Sequence, residues 1–149
     1  MPSRSLAVLI LAAAWTCLAQ QAAPPAVVEA VAAVYPKAAV TARTSGSVLV
    51  DVHVSVSGEV ASAAAAEGDA LLRPNAVAAA RLWRFQPPPQ ARDLRLIFSF
   101  RLMPKNTPAA QLGAVFRPPY TVETRRASPA PVSHYAKKKT TQVLTDPAI

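Results

Sequence analysis

One cysteine, two histidines and four glycines in 149 residues leave little room for several kinds of chemistry. Cys17 falls within the N-terminal apolar run. A chain that loses this run keeps no thiol for a disulfide or a thiolate metal site. A lipid-attachment role for Cys17 fits poorly, because Trp15 stands where such a signal prefers a small residue. His53 and His134 are far apart and the carboxylates are scattered, so no metal-binding group is expected. Ser45-Gly46-Ser47 lacks the glycine spacing and the lysine of a phosphate loop, and no cofactor is expected.

Long hydrophobic runs are missing too. Residues 6–19 are apolar or weakly polar, but a span of about 30 Å of hydrocarbon needs about 20 such residues. With Arg4 ahead of it and small residues near Ala19, the segment 1–19 reads as a cleaved secretory signal, which places the mature chain in the periplasm. The alternative is an uncleaved inner-membrane anchor extended through Gln20-Gln21 into Ala22-Ala23.

Acidic residues are scarce at one end. Residues 104–149 hold seven basic and two acidic side chains, whereas residues 20–103 hold eight and six, so the net charge of +8 sits mainly in the tail. An exported protein rarely meets nucleic acid, and no nucleic-acid partner is expected. A solvated tail, or a weak contact with an anionic membrane surface through Lys137-Lys138-Lys139, fits this charge better. Pro104, Pro108, Pro118-Pro119, Pro129 and Pro131 interrupt the tail, and the expectation for residues 104–149 is disorder over most of their length. Pro118-Pro119-Tyr120 reads as punctuation in that tail rather than a polyproline ligand.

What is present is alternation. Val48, Val50, Val52, Val54 and Val56 fall on one face of a run whose other face is Ser47, Leu49, Asp51, His53 and Ser55. Period-two placement of β-branched residues signals a half-buried strand. Ser57-Gly58 supplies a tight turn, after which 59–66 returns as an antiparallel partner. A helix is expected from near Pro74 to about Arg84, with Leu72, Ala76, Ala79, Ala80 and Trp83 as its apolar stripe. Leu94, Leu96, Phe98, Phe100 and Leu102 line one face of a last strand, and Arg95, Ile97, Ser99 and Arg101 the other. Residues 20–26 read as an Ala/Pro linker, and 27–34 as a short helix stopped by Tyr35-Pro36.

Asp51, His53 and Ser55 include the residue types of a nucleophilic triad. At alternate positions on one strand, however, neighbouring side chains emerge about 6.5–7 Å apart, too far for proton transfer. No group of side chains converges on catalysis, and a binding or structural protein rather than an enzyme is expected.

Tyr35-Pro36, the Gly46-x-Val48 strand entry, Ser57-Gly58-Glu59-Val60 and Arg81-Leu82-Trp83-Arg84-Phe85-Gln86-Pro87 occur in an order and spacing that resemble the C-terminal domain of TonB-family energy transducers. The resemblance covers residues 27–103. It implies an α+β fold, a small three-stranded antiparallel sheet packed by one or two helices. It also implies capture of a segment of a TonB-dependent outer-membrane receptor, or another envelope protein, by strand addition beside the last strand. The edge at Leu94–Leu102 would then present Arg95, Ile97, Ser99 and Arg101 to the partner, with the two arginines favouring a carboxylate-bearing peptide. The alternative reading is a diverged structural or interaction module, with a homodimer formed through the same edge. Two departures from the family stand out. Ala32, Ala33 and Val34 replace polar residues before the Tyr-Pro pair, and the Pro-containing stretch follows the domain instead of preceding it.

Overall fold

The structure, a computed structural model, describes residues 23–130. The expected signal segment, Cys17, His134 and the lysine triplet lie outside the described residues.

The elements run β1 (Val27–Glu29), α1 (Lys37–Thr41), β2 (Gly46–Val54), β3 (Val60–Glu67), α2 (Arg73–Ala80), β4 (Arg84–Phe85), β5 (Arg92–Met103), β6 (Gly113–Arg117) and β7 (Thr121–Ala127). The main sheet has the order β3-β2-β5-β7-β6, and β1 pairs with β4 in a separate ribbon. The expected three-stranded antiparallel unit is its first part, with β2 pairing antiparallel to both β3 and β5. The two further strands make the sheet mixed, because β7 runs parallel to β5.

Alternation decides which face of the sheet is covered. Val48, Val50, Val52 and Val54 of β2 and Leu96, Phe98 and Phe100 of β5 are all buried. Above them lie α2, through Ala76, Ala79 and Ala80, and the extended chain leading to Tyr35. Trp83 joins the layers. Its ring meets Phe85, Phe98 and Phe116, and its indole N–H donates to the Val31 carbonyl at 2.8 Å, so neither its area nor its donor is wasted. Tyr35 packs edge-on against Phe100 and donates its hydroxyl to the Thr44 carbonyl.

The hairpin between β2 and β3 closes as expected. Ser55 N–H donates to Glu59 O, and Gly58 takes a φ of +84°. Gly58 also lies against the Phe85 backbone, where a Cβ would sit 2.0 Å from the carbonyl oxygen. The turn needs glycine for its conformation and for the space.

Two local expectations change. Residues 27–34 are not helical. Val27–Glu29 form β1 against Arg84–Phe85, and no helix forms from there to Pro36, the extended N-cap of α1. β-Branched Val27 pairs with Phe85, the Val31 carbonyl accepts from the Trp83 indole, and both residues pack against the core, contacts that an isolated helical turn would not supply. Helix α2 ends at Ala80 rather than near Arg84, because Trp83 turns inward and Arg84–Phe85 become a strand, with Phe85 N–H donating to Gly58 O.

The largest change concerns the tail. Residues 104–127 are not disordered; they hold a 3-10 turn (Ala109–Gln111) and the β6–β7 hairpin. The reason is tertiary: β5 offers an unpaired edge, and the strand that fills it is too polar to show an apolar period of its own. The linker is also engaged. The Pro25 carbonyl accepts from the Tyr120 hydroxyl at 2.9 Å, and Gln86 N–H donates to Ala26 O.

Candidate functional site

The expected edge at β5 is not free. One side pairs with β2 from Arg92↔Val54 to Phe100↔Gly46, and the other pairs with β7 from Ile97↔Thr121 to Met103↔Ala127. Backbone groups that would face an incoming strand are already used. Ile97 N–H donates to Tyr120 O at 2.9 Å, and Ser128 N–H donates to Met103 O at 2.8 Å. Successive residues of a strand aim these groups to opposite sides, so Ile97, Ser99, Arg101 and Met103 present theirs to β7.

The four residues expected to contact a partner divide into distinct settings. Arg95 is turned toward β2, where its guanidinium holds both Asp51 oxygens at 2.7 and 3.1 Å. This pairing keeps the Asp51 carboxyl below its usual range. Ile97 is half-buried and lies where β7 begins. Ser99 shares a hydrogen bond of 2.7 Å with Ser47 and sits opposite Glu123. Arg101 reaches Glu123 at 3.9 Å while most of its side chain stays in solvent.

Glu123 was missed by sequence reasoning and is the most connected charge near this edge. It is the one buried polar or charged residue among the described residues. Arg125 holds it at 2.6 Å and Arg117 at 3.2 Å, with Arg101 beyond. The hydrogen bond from Arg125 leads in lowering its pKa, helped by the charges of Arg125, Arg101 and Arg117, while burial opposes them. The nearest sequence signal was an acid flanked at two-residue spacing by Thr121 and Arg125, legible only once 121–127 is read as a strand.

On the opposite face the hairpin is seated by few contacts. Val122 is buried, Thr124 donates its hydroxyl to Ala33 O at 3.0 Å, and Tyr120 and Phe116 pack against Phe85 and Trp83. Phe116 remains 42% exposed. The Pro118-Pro119-Tyr120 stretch forms the connection between the two strands.

Elsewhere the side chains considered for catalysis are held apart. Asp51 binds Arg95, His53 Nδ1 lies 2.7 Å from Asp93, and Ser55 shares a hydrogen bond with Ser57. Ala33 is buried before Tyr35, whereas Val34 is exposed beside Leu82 and Asn75, whose side-chain amide donates to Val34 O. Among the described residues, no helix is long and apolar enough to cross a membrane.

The architecture is that of a small α+β domain, a mixed five-stranded sheet with α2 packed on one face and a strand added beside the last core strand. Residues 31–102 match the family model for the C-terminal domain of the Gram-negative bacterial TonB protein. The chain therefore carries a TonB C-terminal-like domain, the type of module that serves transport in the Gram-negative envelope and contacts outer-membrane receptors. A comparison with curated proteins found no match.

Proposed function

We propose that this domain binds an extended segment of an outer-membrane receptor, or another envelope protein, by β-strand addition at β5. Arg95, Ile97, Ser99 and Arg101 would mark the face that meets the partner. One observation carries the reading: β5, the last strand of the matched region, receives a parallel strand from outside that region. An edge that pairs with one added strand has the spacing, twist and backbone groups to pair with another in its place. Arg95 supports the edge from behind through Asp51, and Ile97, Ser99 and Arg101 supply its backbone and side-chain contacts. The proposed setting is the periplasm, after removal of residues 1–19.

The test is site-directed photocrosslinking in cells producing the full chain. A photoreactive residue replaces Ser99 on β5 or Ser62 on β3, which forms the opposite end of the sheet. The expected result is an adduct with an outer-membrane protein from position 99 that is absent from position 62. Adducts of equal yield from both positions, or none from position 99, would reject β5 as the binding edge. A second reading, an interaction module that no longer accepts a partner there, draws on the same pairing of β5 with β7. It predicts no adduct from position 99.

A further inference from the structure

We infer that β7 is a built-in stand-in for the partner strand. The β6–β7 hairpin leaves β5 to admit a parallel segment with an apolar residue in the Val122 position and a carboxylate in the next, the Glu123 position. The inference rests on strand addition at β5 and adds the chemistry of the partner and the gate it must pass.

Unequal anchoring is the first argument. β2 and β5 place seven buried apolar side chains between them, whereas β7 places Val122 alone and β6 places none. Residues 104–112 are the covalent connection from β5 to the hairpin, whose other ties are the β5–β7 ladder and a few side-chain contacts. The hairpin can therefore leave as a unit while the valine and phenylalanine rows stay packed.

The charges supply the second argument. Of the three arginines around Glu123, Arg117 and Arg125 travel with the hairpin, and Arg101 remains on β5. Arg95 is already held by Asp51 through two hydrogen bonds. The vacated edge thus presents one unsatisfied guanidinium, at Arg101, beside the Ser99 position that Glu123 faces. A carboxylate placed there restores the ion pair, while one opposite Arg95 would compete with Asp51. The apolar requirement follows from the inner face, where Val122 closes the core beside Phe98.

The tether sets the threshold. A strand attached through a short connection competes at an effective concentration of about millimolar. A partner in trans binds with an affinity lowered by the fraction of molecules in which the hairpin is open.

The probe is a labelled synthetic peptide of residues 119–128, titrated against the full chain and its Glu123→Arg variant by fluorescence anisotropy. The variant sets a fourth arginine among Arg101, Arg117 and Arg125 and so favours hairpin release. Hydrogen exchange reports release at 121–127 and retention of β5 at 94–102. The expected result is binding to E123R at least about tenfold tighter than to the native chain. A peptide carrying lysine in place of its own glutamate should bind several-fold more weakly.

Equal affinity for the native chain and E123R would overturn the stand-in, since the peptide would then sit elsewhere. Loss of protection at 121–127 without peptide binding would overturn strand addition at β5 itself. Native protection at 121–127 in both E123R and Val122→Asp would show that the hairpin is not displaceable and would reject the gate. If E123R does not fold, Glu123→Gln takes its place, with a smaller gain expected in the same direction.

Discussion

The matched core, 31–102, and the hairpin that follows it share one sheet but are held by different means. The core is apolar and interlocked: Val48 to Val54, Leu96 to Phe100, Leu72, Trp83 and the alanines of α2 are buried together. The hairpin contributes one buried apolar residue, Val122, and is fixed mainly by ladder hydrogen bonds and by the arginines around Glu123. Apolar burial scales with area and does not depend on protonation, whereas carboxylate ion pairs are screened by salt and lost in acid. The same sheet thus contains a permanent part and a conditional one.

Trp83→Ala should have the largest effect, because the indole fills the space between sheet and helix and also supports the hairpin through Phe116. Loss of about 3–5 kcal/mol is expected, with both regions unfolding together in chemical denaturation. Two glycine substitutions separate the regions more cleanly. Gly58→Ala would force a Cβ onto the Phe85 carbonyl in the core turn and add backbone strain, for a loss of about 2–4 kcal/mol. Gly113→Ala at the start of β6 meets nothing within 4 Å, so only its φ of +103° counts, and about 1–2 kcal/mol is expected. Thermal melts should show the first lowering the midpoint of the whole domain. If both change it equally, the two regions are not distinct.

How much of this was legible in the sequence follows from the same contrast. Strands β2 and β5 announce themselves because one face is valine or phenylalanine and the other is polar, and the Ser57-Gly58 turn fixes their neighbour. The hairpin stayed hidden. Thr121-Val122-Glu123-Thr124-Arg125-Arg126-Ala127 buries a single valine, so it carries no apolar period. Its prolines and basic charge match those of a disordered tail, and its folding depends on an edge supplied from elsewhere in the chain. The site residues follow suit. Arg95, Ile97, Ser99 and Arg101 could be placed on one face from alternation, but their separate partners, Asp51, Tyr120, Ser47 and Glu123, could not. Val27–Glu29 was misread because its valines fit a short helix as well as a strand until the Arg84–Phe85 ribbon is known.

Val122→Ala sharpens the comparison within β7. Removing two methyl groups should cost about 1–2 kcal/mol. If the hairpin opens separately, the loss appears in native-state hydrogen exchange at 121–127 and leaves the slowest amides of β2 unchanged. A uniform loss across β2, β5 and β7 would mean that the sheet opens only as a whole.

Acid offers the gentlest separation, through Glu123. Its pKa is lowered in the folded state, first by the Arg125 hydrogen bond, against an ordinary value of 4.5. A depressed carboxylate adds stability that is fully present above its unfolded pKa and is lost as pH falls through the lower folded one. Arg101, Arg117 and Arg125 stay charged throughout this range, so protonation leaves three cations around a neutral acid. Protection at 121–127 should therefore fall as pH drops below 4.5, and Glu123→Gln should abolish that step while weakening the hairpin at neutral pH. Asp51 titrates in the same direction through Arg95, but on the β2 side of β5, and it remains in the Gln variant as an internal reference. Persistence of the acid step at 121–127 in Glu123→Gln would shift the pH sensitivity from the hairpin to Asp51, and the conditional part of the sheet would then owe nothing to its buried charge.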